Sequence, residues 1–316
     1  MTALIKAENS AIAALDNSLV DSWLKFAAVS KQSEKTYSKC LKQLFSYFAD
    51  NGIEKPRRAD LENFRDYLID SGKSANTICL YLTATKLFFR WLAQEGIFPN
   101  VADHLKNRVK VDSSNHKKDA LTDKQVASLL KSVKGKDLKA LRDRAIIALM
   151  ATTGLRSISV VRANICDIRQ VQGGYYLFVQ GKGRNEKKES VRLAAQVYSL
   201  IQQYLKARKE KNSAAPLFVA TSNRNKNKRL EAQTISRMVK SNLRDIGIDL
   251  PTVTCHSLRH TAATIMLLAG QKLENVQAIL HHKSICTTQI YNNAINRYRN
   301  QGEIIAANKI FHKLNI

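Results

Sequence analysis

The chain has 316 residues, with 51 Lys and Arg against 26 Asp and Glu, a net charge of +25 and a pI near 10.0. A balance this basic points to a polyanion, and because no run of about 18 apolar residues exists to cross a bilayer, duplex DNA is the expected partner, with no membrane, in the cytoplasm. The polar opening Met1-Thr2-Ala3-Leu4-Ile5-Lys6 argues against a secretory leader, and five scattered cysteines without a C-x-x-C pair argue against a disulfide framework or a zinc site.

A hydrophobic content of 44% over this length is enough for two cores. From Asn17 to His104 the pattern is helical. Tyr37, Cys40, Leu41, Leu44, Phe45 and Phe48 recur at offsets of three and four, as do Ile78, Leu82, Thr85, Phe89 and Leu92. Ser33 and Ser74 stand where N-caps belong, and breaks fall at Asp50-Asn51-Gly52, Pro56 and Asp70-Ser71-Gly72-Lys73. Four helices over residues 1–105 therefore predict a small helical bundle. Residues 106–120, polar and without apolar periodicity, read as a linker.

A second domain is expected over 121–300. It opens with a capping box, Thr122-x-x-Gln125, and a helix from Leu138 to Ala151 that stops at Gly154. Tyr175–Val179 and Glu189–Leu193 read as paired strands around a glycine-punctuated turn holding Lys182, Lys187 and Lys188. Helices resume at Gln196–Lys209, Ala232–Ile246, Leu258–Ala269, Leu273–Leu280 and Thr287–Arg299. The tail, 301–316, is a C-terminal helix with Ile304, Ile305, Ile310, Phe311 and Leu314 as its apolar residues. The fold class is thus mainly α with a small antiparallel β-sheet.

The run from His256 to Tyr291 carries the chemistry. His256-Ser257-Leu258-Arg259-His260 places a histidine and an arginine three residues apart, on one helical face, where both can converge on one anion. Arginine forks two hydrogen bonds onto a phosphate. Leu280-His281-His282-Lys283-Ser284 then supplies further donors, and Thr287-Thr288-Gln289-Ile290-Tyr291 a hydroxyl nucleophile. Phosphoryl transfer needs charge neutralised on the nonbridging oxygens, a nucleophile in line and a proton for the leaving oxygen. No acidic cluster stands near these motifs, so neither a metal nor any other cofactor is expected. Cys255 and Cys286 flank the site residues and predict sensitivity to thiol reagents.

The order and spacing of these motifs, with Thr153-Gly154-Leu155-Arg156 upstream, closely resemble those of the tyrosine recombinases, the DNA strand-exchange enzymes that include phage integrases and Xer proteins. The resemblance covers about Leu19 to Arg299. It implies that residues 1–105 are a SAM-like core-binding domain, that the two domains close on DNA as a clamp, and that 121–300 is the catalytic domain. It implies a catalytic set of Arg156, Lys182, His256, Arg259, His282 and Tyr291. Arg156 and Arg259 would chelate the phosphate. Lys182 would protonate the leaving 5′ oxygen, with Lys187 and Lys188 as rivals. His256 and His282 would be acid/base or hydrogen-bonding partners, and Tyr291 would form a 3′-phosphotyrosyl link without ATP. It also implies a homotetramer on paired recombination sites, joined by the C-terminal helix docking in trans. Two positions depart from the family pattern: Ser159 replaces a common Glu or Asp, and His281 a common Gly.

The expected function is a site-specific recombinase that integrates or excises a mobile element. The alternative within the class is a Xer-like or transposon-borne resolvase of replicon dimers. From other classes come a DNA-binding regulator without catalysis and a type IB topoisomerase-like cycle. Tyr291 argues against the first, because binding phosphate does not require it.

Overall fold

The computed structural model describes residues 17–109, 119–181, 186–299 and 301–312. The chain divides into two compact units, Met1–Ser113 and Ser114–Ile316; most of the predicted linker, residues 110–118, lies outside the described residues.

The first unit contains α1 (Asn17–Phe26), α2 (Lys31–Asp50), α3 (Arg58–Asp70) and α4 (Ala75–Gln94). The cap of α2 is Ser30, whose hydroxyl accepts from the Ser33 backbone N–H at 3.2 Å. Ser33, predicted as the cap, sits in the first turn instead: two serines three residues apart offer the same signal, and only the chain's entry angle decides between them. Ser74 does cap α4. Along α2 and α4 the i, i+3, i+4 stripe puts Leu41, Leu44, Phe88 and Phe89 fully inside, around Trp23 from α1 and Phe64 from α3. Aromatic edges and faces meet there, Phe88 lying 5.6 Å from Trp23 and 5.9 Å from Phe89. Burying such side chains contributes roughly 1.5–3 kcal/mol each.

The second unit is built on α6 (Leu138–Thr153), following α5 (Asp123–Ser132). The Thr122–Gln125 capping box is present, and Asp137 caps α6 through the Ala140 N–H at 2.7 Å. Ala145, Ile146, Ile147, Leu149 and Met150 are buried on several faces of α6, so this helix is packed on more than one side. Its neighbours are α8 (Ala195–Arg208) and α10 (Cys255–Leu268). Between α6 and the sheet runs a short helix, α7 (Ser157–Arg162), which periodicity over six residues does not reveal.

The sheet is antiparallel, ordered β1 (Ile168–Val171), β2 (Gly174–Val179), β3 (Glu189–Leu193). Leu177, Val179, Val191 and Leu193 face the core, alternating with more exposed neighbours. The strand β1 was not predicted. It turns into β2 over Gln172 and Gly173, both at positive φ, the backbone of a tight two-residue hairpin. Beyond α9 (Ala232–Arg244) and α10 come α11 (Leu273–Leu280), α12 (Cys286–Arg299) and α13 (Gly302–His312). No residue of α13 is buried.

Candidate active site

Turns at the ends of two helices bring predicted residues together. The helix α6 ends at Gly154, whose φ of +66° is the left-handed conformation that ends helices and that glycine adopts without strain. The chain turns there so that Arg156 becomes the N-cap of α7. A Cβ on Gly154 would lie 2.3 Å from Leu280 Cδ2 and 3.4 Å from Ala262 Cβ. The glycine is thus set by the backbone and by a close approach at once. Gly154→Ala is expected to destabilise by about 2–4 kcal/mol, from left-handed strain and overpacking; a urea midpoint equal to the wild type's would refute that.

Arg259 joins the segments. Deep in α10 and 3% exposed, it donates from Nη1 to the Gly154 carbonyl and from Nη2 to the Leu280 carbonyl, both at 2.6 Å. One guanidinium therefore ties the arginine turn at the end of α6 to the end of α11, and its fork still has N–H groups for an anion. Burial, and then neighbouring Arg156, pull its pKa down to about 10, while Tyr291 and Glu189 act the other way. It remains a cation at neutral pH. Arg156, His256 and Arg259 line one cavity of about 130 Å³ with Ser157, Ser236 and Thr254.

Tyr291, on α12, is 4% exposed and packs with Ala263, Leu267 and Ile295. Its ring lies near two imidazoles, with His260 at 5.3 Å and His282 parallel to it at 6.3 Å. His256, exposed in the first turn of α10, meets His260 edge-on at 4.8 Å. Burial pushes the Tyr291 phenol up to about 12, against the pull of Arg259 and Arg156. So His256, Arg156, Arg259, His282 and Tyr291 share one neighbourhood.

The two adjacent histidines are separated by geometry. His281 is the C-cap of α11 at φ +52° and turns to β3, its Nε2 3.2 Å from the Ser190 carbonyl oxygen. His282 faces Tyr291, its Nδ1 2.8 Å from Thr288 Oγ1. Thr288 is fully buried, and sequence reasoning gave it no role: the hint was its place three residues before Tyr291. Lys182 lies outside the described residues. Of its rivals, Lys187 is paired with buried Asp167 and Lys188 with Glu186. Ser159, buried in α7, donates to the Gln180 carbonyl at 3.3 Å.

The thiol expectation divides. Cys255 is buried, with its pKa pushed up to about 11 by burial, so it is unreactive at neutral pH; Cys286 is exposed. Among the described residues no three His, Cys, Asp or Glu side chains gather as a metal site would require.

The chain is similar to known proteins over most of its length. The phage integrase family matches residues 119–297, and the phage integrase N-terminal SAM-like domain matches 9–96. The tyrosine recombinase XerD of Oceanobacillus iheyensis is 30% identical over 273 residues, 83% of this chain and 88% of that protein. The tyrosine recombinase XerA of Pyrococcus furiosus is 32% identical over 252 residues, 79% and 82% of the two chains. Among solved structures, the XerH site-specific recombinase bound to a palindromic difH substrate, in a post-cleavage complex, shares the fold with a TM-score of 0.72. It is 24% identical, and the match covers 96% of this chain and 88% of that one.

Proposed function

The chain belongs to the phage integrase family and is a site-specific tyrosine recombinase acting on DNA; from that premise we propose the residues by which it cleaves and rejoins strands. Arg156 and Arg259 hold the nonbridging oxygens of the scissile phosphate. The Tyr291 phenol passes its proton to His256 as the base and its oxygen attacks phosphorus, forming a 3′-phosphotyrosyl bond as the bond to the 5′ oxygen breaks, and Lys182 gives that oxygen its proton. Thr288 donates to Nδ1 of His282, which keeps the Nε2 proton for a phosphate oxygen, and His256 meets the phosphate from the first turn of α10. The returning 5′-hydroxyl reverses the step, so the phosphodiester energy is conserved and no ATP is needed. What carries this reading is the Arg259 fork, which ties the turn that precedes Arg156 to the end of α11 that precedes His282.

The test is to incubate the protein with fragments of its source replicon and with nicked versions that trap cleavage, then look for a denaturant-resistant protein–DNA adduct. Peptide mapping should place the link on Tyr291. Binding without any adduct, nicked substrates included, would leave a DNA-binding regulator as the better account.

We infer a role in integrating or excising a mobile element. The named relatives, XerD and XerA, favour a second reading, resolution of replicon dimers. Recombination confined to directly repeated sites on one circle would decide for the second. The surplus of basic residues predicts that DNA affinity falls with a log–log slope near −0.9 per phosphate contacted, so on the order of 10³-fold or more is lost between about 50 and 200 mM salt. A flat salt dependence would contradict it.

Assembly is assigned to α13. Ile304, Ile305, Ile310 and Phe311 are each half or more exposed there, an apolar surface of the kind that marks a docking element. We propose that it docks on a neighbouring protomer in a tetramer spanning two sites. Replacing Ile310 and Phe311 by Glu should leave binding to one site within about twofold and abolish the tetramer in sedimentation on paired sites; intact tetramers would refute this.

A further inference from the structure

The two departures noted in the sequence, Ser159 and His281, lie against the same stretch of β2 and β3. Glu189, the first residue of β3, pairs in register with Val179 and folds its carboxylate across the next peptide: a Cβ on Gly181 would lie 2.4 Å from Glu189 Oε1. A side chain at position 181 would push that carboxylate from its place. Ser159 reaches the same peptide stretch through the Gln180 carbonyl, one residue before. From the end of α11, His281 closes on the carboxylate with Nδ1 at 3.3 Å from Glu189 Oε2, while its Nε2 faces the Ser190 carbonyl. Both groups are largely buried, with side chains 15% and 13% exposed.

The imidazole thus has one acceptor facing each of its ring nitrogens. Burial first of all pulls the His281 pKa below its ordinary value, Glu189 and the Ser190 carbonyl act the other way, and Arg259 and Arg156 add to the pull. Glu189 is also the carboxylate whose charge reaches Arg259. The pair is therefore electrostatically linked to both arginines. The residue preceding His281, Leu280, gives its carbonyl to the Arg259 fork, and the residue following, His282, faces Tyr291.

We propose that Glu189 and His281 act as one positioning unit, supplying from β3 and the end of α11 the buried carboxylate that α7 lacks at Ser159, and fixing the Leu280–His282 segment against Arg259. The unit rests on the catalytic reading above. Glu189 touches no reacting atom in it; it acts through His281 and the arginine. In this account the unusual His281 exists because a carboxylate from β3 needs a donor at that turn, and glycine offers none.

The test compares wild type, Glu189→Gln, His281→Gly and the double variant for the rate of covalent adduct formation at saturating DNA, with affinity measured separately. His281→Gly suits the purpose because the left-handed backbone there accepts glycine without strain. Each single variant should form adduct about 10- to 100-fold more slowly, with affinity within about twofold, and the double should be no slower than the worse single. Additive losses, losses confined to affinity, or wild-type rates overturn the proposal. A readout independent of cleavage is the titration of His281 by NMR with labelled histidine. Its midpoint should fall in Glu189→Gln, since the carboxylate holds the ring proton; an unchanged midpoint also overturns the pair. If the wild type forms no adduct on any substrate, the catalytic reading fails and with it the positioning role, whatever the NMR titration gives.

Discussion

Arg259→Lys is expected to slow adduct formation by about 10³-fold or more while DNA binding persists, and Arg259→Ala is expected to do so and to destabilise the fold besides. The guanidinium spans two carbonyls that face it from different segments, Gly154 and Leu280, each at 2.6 Å. A lysine ammonium carries three N–H donors on a single nitrogen, so it can keep the carbonyls partnered but cannot also present a planar fork to the phosphate. Losing a preorganised donor at developing phosphate charge costs about 10²–10³ in rate, and losing an arginine at a phosphoryl centre 10³–10⁵. The alanine variant adds a second effect. Both carbonyls are then left without that partner in the interior, at about 1–3 kcal/mol each. The two variants therefore separate chemistry from architecture. Adduct rates at saturating DNA, read beside urea denaturation, should show both variants catalytically crippled and only alanine losing several kcal/mol. A lysine variant within about tenfold of wild type would mean that charge alone suffices there and that the fork is structural.

The sequence made the chemical residues legible because phosphoryl transfer requires particular side chains, and those fall within short local spacings. His256 and Arg259 share one helical face, and Thr288 and Tyr291 belong to one helix; such relations follow from 3.6 residues per turn. Relations across segments were not legible. That Arg259 binds the Gly154 carbonyl 105 residues away depends on how α6 and α10 cross, which no local spacing encodes. Which of His281 and His282 faces Tyr291 depends on a left-handed turn at a non-glycine residue, rarely predicted because it carries strain. The helical bundle was legible from its apolar stripes, whereas the cap of α2 was misplaced by one turn between Ser30 and Ser33. The strand β1 is four residues long and has one half-buried position, too little alternation to register. The resemblance favoured Lys182 over Lys187 and Lys188, and spacing alone did not show that the last two pair with Asp167 and Glu186.

Tyr291→Phe should abolish the covalent adduct altogether while leaving the fold and DNA affinity in place. The ring is held by contacts that phenylalanine preserves: the apolar cluster with Ala263, Leu267 and Ile295, and the imidazoles of His260 and His282 near it. What disappears is the oxygen, and neither imidazole can replace it as a nucleophile that leaves a stable ester. The wild-type phenol, pushed up to about 12 by burial, is neutral at pH 7, so attack requires its proton to leave as the phosphate is engaged. Arg259 and Arg156 already act to lower that pKa, and this is the direction catalysis needs. The same shift has a consequence for stability. A folded-state pKa above the unfolded value of about 10 means that stability is fully present below pH 10 and is lost as pH rises toward 12, because the unfolded chain gives up the proton first. Over that window Tyr291 withdraws on the order of 3 kcal/mol, and the Phe variant should lack this share of the alkaline decline in a denaturation series. An adduct that survives in Tyr291→Phe would move the nucleophile elsewhere. An unaltered alkaline limb would mean that the phenol is not held in the folded protein as its burial requires.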